Sequence, residues 1–425
     1  MPTKFIVAAL GTWGDVLPAF GIALALQRKG LDVEVHSSPY YQEHLSECGL
    51  QFFAIGNLDD FRAALVDPRL WRETENVAVY RDYFLQSGLS SLPDRTLAYP
   101  KDQDLFFIAH PMLVCSVNLV KQLRANVRVC TYLLSPAHSS EDRQVMSFRS
   151  TVLPKVFPRF ALRAFKKTLS SLYVDTVLLE DINHHRRARG LPRIKSYLDE
   201  IHDTPEFHLN LFPQWFAPSL HAPPPRILQG DFVLHTRTPS KELGPDLERF
   251  IAGGDRPVAF LFGQCAQGLR RTIEDIARHY PGPSRRAVVI TADRTLLPEV
   301  LPEHLHWAPY APLDTLLAAC KGIVHYGGIG TMAQALKAAT PQIALPFIFD
   351  QYENSIHMSR LGVGEVIPAS RANGQKIRAL ADRLFQSEAV RRRCQAVAER
   401  FTLQDPTDAI ADLLVSAARS VAARE

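Results

Sequence analysis

Residues 4–37 read KFIVAALGTWGDVLPAFGIALALQRKGLDVEVHS, and this stretch decides the fold. Lys4 to Leu10 is a compact apolar run of strand length. Gly11-Thr-Trp-Gly-Asp15 follows, with two glycines that permit a tight turn. Leu17 to Lys29 then carries helical periodicity and stops at Gly30, and Val33 to Ser37 is a second strand. A strand, a short loop, a helix and another strand, in that order, open a doubly wound parallel sheet. Further strands are predicted at Leu105–Ala109 and Val127–Leu134.

Working outward, the chain has 425 residues, more than one core usually supports, so two domains of about 200 residues are expected. Between His221 and Arg226 it reads His-Ala-Pro-Pro-Pro-Arg, a stiff extended connector. After it the α/β rhythm restarts. Strands are predicted at Pro257–Phe262, Ala287–Thr291, Gly322–Val324 and Ile343–Pro346, with Leu316–Ala319 and Thr331–Ala339 helical. Pro406 to Glu425 is an amphipathic helix, with Ile410, Leu413, Leu414 and Val421 on its apolar side, expected to pack back on the first domain. The division is therefore 1–220, a linker at 221–230, 231–405 and a final helix at 406–425. The fold class is α/β, two Rossmann-like doubly wound domains facing a cleft. Ligands of such sheets bind outside the carboxyl ends of the strands.

Composition excludes several classes. The hydrophobic share of 46% is ordinary, and a net charge of +4 is too small for a protein built around nucleic acid. Cys48, Cys115, Cys130, Cys265, Cys320 and Cys394 form no CxxC pair and no metal-like spacing, so they read as small hydrophobes of a reducing compartment. The amino terminus shows no cleavage site and no apolar stretch approaches ~20 residues, so a cytoplasmic address is expected.

Three motifs carry chemistry. Asp15 lies where the first loop meets its helix; a carboxylate there can take a proton from an attacking hydroxyl, or cap the helix. His325-Tyr-Gly-Gly-Ile-Gly-Thr331 places three glycines at a strand-to-helix turn, where backbone N–H groups and the helix dipole suit a diphosphate. Bound this way, a diphosphate needs no metal. Gly330 is followed by Thr331 and Met332, with no phosphate-loop lysine, which argues against a nucleotide triphosphatase. The competing reading is a glycine turn made for packing. Asp350-Gln351 ends a third apolar run and suits sugar hydroxyls, or a helix cap.

Together, Tyr310-Ala-Pro-Leu-Asp314, Leu316-Leu317, His325 to Thr331, Pro341-Gln342, Pro346, Asp350-Gln351, Asn354 and Leu361-Gly362 resemble the donor-binding signature of inverting nucleotide-sugar glycosyltransferases with the GT-B fold, the UDP-glycosyltransferase superfamily. Gly11-x-x-Gly14-Asp15-Val16-x-Pro18 resembles that superfamily's opening signature. Asp67-Pro-Arg-Leu-Trp71 and Leu211-Phe-Pro-Gln-Trp-Phe-Ala-Pro218 add a narrower resemblance to the B-type rhamnosyltransferases that make rhamnolipids.

The resemblance implies that 1–220 binds the acceptor and 231–405 the donor. It makes Asp15 the general base, with Gly327, Gly328, Gly330 and Thr331 on the diphosphate and Asp350 with Gln351 on the sugar. Tyr310 would pack on the nucleobase, with Trp307 the alternative register. His325, Gly263 and Gln334 complete the donor set. Relatives place a second histidine at the position of Tyr326 and a glutamate at that of Gln334, which leaves UDP- and dTDP-sugars both open. The implied activity is inverting, metal-independent transfer of a hexose or deoxyhexose to a hydroxyl of a hydrophobic small-molecule or lipid acceptor, without a cofactor. The alternatives are a glucosyltransferase of a polyketide, sterol or other natural product, and a catalytically silent nucleotide-sugar-binding subunit.

On the acceptor side, Trp13, Trp71, Tyr83 and His110 are expected to wall an apolar pocket, or to form satellite core. Residues 143–174 carry basic but no acidic side chains, interleaved with apolar ones. They read as a peripheral contact with an anionic membrane at the inner face, or as one solvated helix face.

Overall fold

A computed structural model of the chain describes residues 3–139, 147–148, 151–152, 168, 171–219, 225–237, 241–348, 350–403 and 405–422. The first sheet contains β1 (Lys4–Ala8), β2 (Asp32–Ser37), β3 (Gln51–Ala54), β4 (Leu105–Ala109), β5 (Val127–Leu133), β6 (Phe207–Asn210) and β7 (Ile227–Gln229). All pair in parallel, in the order β3-β2-β1-β4-β5-β6-β7. β1 is buried throughout because strands flank it and helices cover both faces, which is why it reads as one apolar run. The stretch expected to be pure connector, 221–230, thus supplies β7 to the first sheet; residues 221–224 lie outside the described set.

The second sheet contains β8 (Val258–Leu261), β9 (Ala287–Ile290), β10 (Leu305–Ala308), β11 (Gly322–His325), β12 (Gln342–Ala344) and β13 (Gly364–Val366). Its strands are also parallel, in the order β10-β9-β8-β11-β12-β13. Each sheet therefore reverses its winding once, between β1 and β4 and between β8 and β11. The crevice of such a sheet opens at that reversal.

Four helices position the site or join the domains: α1 (Trp13–Arg28), α2 (Ile329–Lys337), α3 (Gln351–Arg360) and α4 (Thr407–Ala422). α1 starts four residues before the expected Leu17, because Thr12 and Asp15 together cap its first turn. α4 packs back on the first domain, as expected. Its Ile410, Ala411, Leu414 and Ala417 join α1 in the core, and Arg28–Asp408 (2.9 Å) and Lys29–Asp412 (2.8 Å) tie the rim. Leu413, expected on the apolar side, is exposed instead.

A separate apolar cluster bridges the halves: Leu133, Phe212, Phe216 and Phe232 pack with Met332, Leu336, Met358 and Val397. Among the described residues, no helix is long and apolar enough to cross a membrane. The basic segment 143–174 lies largely outside the described residues.

Candidate active site

The first domain contributes the loops after β1 and β4, on either side of its reversal. The half-buried Asp15 turns its carboxylate back on its own loop, where Oδ2 accepts from Thr12 N (2.7 Å) and Thr12 Oγ1 (2.9 Å). Gly11, at φ +117°, makes this possible: a Cβ there would lie 2.5 Å from Asp15 Oδ2. Asp15 thus does cap the helix, from within its first turn, and still stands at the crevice. Burial raises its pKa above the ordinary carboxylate value. The Thr12 hydrogen bonds oppose that rise, Asp350 adds to it and His138 works against it.

His110 follows β4. Its Nδ1 accepts from Met112 N (3.3 Å), so Nε2 carries the hydrogen, and its ring meets Tyr132 edge-on at 5.6 Å. Burial pushes the imidazole down to about 3, with His138 adding to the effect, so it is neutral at working pH. His138, in the turn Pro136–His138 after β5, therefore acts electrostatically on both Asp15 and His110, and sequence reasoning missed it.

Of the expected acceptor residues, Trp13 walls a cavity of about 760 Å³ with Tyr40, His44, Arg62 and Arg237. The Arg237 guanidinium lies over the indole at 4.7 Å. Trp71 and Tyr83 serve elsewhere. Trp71 packs against Phe347 of the second domain (6.3 Å between rings). The Tyr83 hydroxyl donates to Asp67 (3.3 Å), a carboxylate also held by Arg69.

The second domain contributes the loops after β8 and β11. Gly263 lies two residues after β8 with φ +51° and faces the ring of Tyr326. His325 is 0% exposed: its Nε2 meets Gln342 Oε1 at 3.0 Å and its Nδ1 accepts from Gly327 N at 3.1 Å. It shapes the glycine turn from below, with both ring nitrogens engaged inside the domain. Burial pushes its pKa down to about 4. Gly327 adopts φ +91°, where a Cβ would meet Ser355 Oγ at 2.8 Å and Gln351 O at 3.0 Å. Gly328 caps α2, and around Gly330 there is open space. Thr331 is buried in the first turn, and Gln334 is half-buried one turn on.

Asp350 immediately precedes α3, and its side chain makes no capping hydrogen bond there. Asn354 Nδ2 donates to its Oδ2 (2.8 Å) and to Gly327 O (3.3 Å). Gln351, expected beside it on the sugar, is 3% exposed, with Oε1 accepting from Phe347 N (3.1 Å) and Ile348 N (3.2 Å). Its side chain is turned inward and braces the loop. Tyr310 is 41% exposed after β10, whereas Trp307 is half-buried with Nε1 donating to Thr291 O (2.9 Å). The geometry therefore gives the open aromatic face to Tyr310.

Comparison with known proteins agrees with this architecture. A family model described as erythromycin biosynthesis protein CIII-like, C-terminal domain, matches residues 285–415. Aklavinone 7-beta-L-rhodosaminyltransferase of Streptomyces galilaeus is 35% identical over 120 residues, covering 26% of this chain and 27% of that protein. The chain thus spans about a quarter of the length of that relative. Uncharacterized glycosyltransferase Rv1524 of Mycobacterium tuberculosis is 24% identical over 429 residues, covering 98% of this chain and 99% of its own length.

Among solved structures, the glycotransferase of kitacinnamycin superposes with a TM-score of 0.72 at 16% identity, covering 98% of this chain and 99% of that one. Spinosyn rhamnosyltransferase SpnG complexed with thymidine diphosphate gives 0.64 at 19% identity, covering 97% and 100%. The chain has the GT-B fold. Within it, residues 285–415 of the second domain are similar to the erythromycin biosynthesis protein CIII-like C-terminal domain.

Proposed function

We propose that the protein is an inverting glycosyltransferase that moves a hexose or deoxyhexose from a nucleotide sugar to a hydroxyl of a hydrophobic small molecule. The carrying observation is that Asp15 of one domain and Asp350 of the other stand close enough for their charges to interact, at a crevice that also holds the glycine turn. Asp15 takes the acceptor's hydroxyl proton. The oxygen bonds to the anomeric carbon as the bond to the diphosphate breaks, and the electron pair leaves with the nucleotide. The start of α2 meets that charge with fixed dipoles. One displacement inverts the anomeric centre. A raised Asp15 pKa favours this work, since a base is more effective when its proton affinity approaches the working pH.

A dTDP-sugar is the preferred donor, supported by thymidine diphosphate in the SpnG structure and by the rhamnosyltransferase resemblance, with UDP-sugars the alternative. Tyr310 stacks on the base, Gly327 to Thr331 hold the diphosphate and Asp350 binds sugar hydroxyls. The cavity beside Trp13 takes the acceptor's body. The relatives' names favour a natural-product acceptor over a lipid.

Asp15→Asn should abolish transfer while leaving nucleoside diphosphate binding intact by titration calorimetry. Turnover retained within about tenfold would remove Asp15 as the base, since a positioned base is worth about 10²–10⁴ in rate. Donor binding without diphosphate release, across a panel of hydroxylated acceptors, would support the silent subunit instead.

A further inference from the structure

We infer that Asp350 is held in its working position by two residues of the first domain, Ser135 and Trp71, so that the sugar subsite is complete only while the domains are docked. This rests on the glycosyl-transfer reading, and it makes Ser135 and Trp71 positioning residues.

The stretch that follows β12, described over Pro346–Ile348 and again from Asp350 into α3, carries Asp350. It is fastened on both sides of that carboxylate by the other domain. Downstream, Asn354 is fully buried and its Oδ1 accepts from Ser135 Oγ at 2.8 Å. Ser135 is fully buried as well, and its hydroxyl oxygen also accepts from Ala137 N (3.4 Å), which commits its hydrogen to Asn354. An amide offers a carbonyl on one side and N–H donors on the other. With the carbonyl tied to Ser135, the N–H side must face Asp350 and Gly327, where it is found. Losing the Ser135 hydroxyl removes the bond that sets this orientation, and an amide turned over would present its oxygen to a carboxylate.

Upstream, the Phe347 ring packs on Trp71, in a gap that Gly268 keeps open: a Cβ there would lie 2.5 Å from Phe347 and 3.3 Å from Trp71. Between the two anchors, Gln351 stiffens the segment by accepting from the amides of Phe347 and Ile348. A displacement at either end is therefore passed to Asp350. The glycine turn depends less on this contact, because His325 holds Gly327 N from within the second domain.

The test compares, by calorimetry on the full chain, dTDP or UDP alone with the corresponding nucleotide sugar. The inference requires Ser135→Ala and, independently, Trp71→Leu to leave nucleoside diphosphate affinity within about threefold of the parent. Both should weaken the nucleotide sugar by about tenfold, the scale of one lost hydrogen bond to a charged group. In an Asp350→Asn background the Ser135→Ala effect should vanish, since the residue acts through that carboxylate. Equal weakening of both ligands, no weakening of either, or effects that add to Asp350→Asn would overturn it. If the unsubstituted protein binds the diphosphate but no nucleotide sugar, the glycosyl-transfer reading itself falls.

Discussion

Asp15 closes the first turn of α1 and, in the proposed function, is also the base, so its titration reports on its neighbours. Only the ionised form accepts a proton, so whatever raises its pKa removes activity at a higher pH. Burial and Asp350 push that way, while Thr12 and His138 push back. The acid limb of kcat/KM for the acceptor should therefore lie above the ordinary carboxylate range. His138→Gln should move it further up; a limb that stays in place would separate His138 from Asp15. His325 works through stability. Its folded pKa of about 4 lies below the usual 6.5, so the unfolded chain binds its proton first. That contribution is complete above pH ~6.5 and lost as pH falls toward ~4. Melting temperatures compared at pH 7 and pH 4.5 should show the loss, and His325→Gln should reduce the difference. The places of Asp15 and Gly327 follow from where a strand ends and a helix begins, which the sequence displays. Those of His325 and Gln351 do not, because a motif says which residues are adjacent and not which way each side chain turns. On a helix, successive residues point about 100° apart, so Asp350 and Gln351 as neighbours face different surroundings. Ser135 and Asn354 are 219 positions apart and meet only in the fold.

The glycine turn before α2 separates two kinds of glycine requirement. Gly327→Ala forces a side chain onto φ +91° and into Ser355 and Gln351, and should cost about 1–3 kcal/mol in chemical denaturation. Gly330→Ala meets no protein atom, so stability should hold while nucleoside diphosphate affinity falls, the added methyl entering the space assigned to the ligand. Unchanged affinity would place the diphosphate elsewhere. The strands show a similar division in what can be read. β1, β4, β5, β8 and β11 lie inside their sheets and appear as apolar runs. β3, β7, β10 and β13 are sheet edges with mixed surroundings, and they carry residues such as Gln51, Gln229, His306 and Glu365 that hide them. β6 is interior yet equally hidden, because His208 and Asn210 are buried in it, His208 bonded to Thr131 at 2.6 Å.

Across the whole molecule, the two domains share the apolar cluster around Phe212, Phe216 and Met358, and the chain crosses between them twice, before β8 and again before α4. Separating the domains would therefore expose this cluster to water, at a cost in free energy. Leu414→Ala, on α4, should lower unfolding free energy by about 2–5 kcal/mol, and the loss should fall on the first domain, whose core that side chain fills. Hydrogen exchange resolved by segment would show it in α1 ahead of β8 and β11. The placement of α4 also governs how the protein is made. Chains emerge amino end first at about 5–20 residues per second, so the face of α1 that receives Leu414 stays bare for on the order of tens of seconds. The domain translated first is the one finished last, and over that interval its apolar α1 surface is the one most in need of a chaperone.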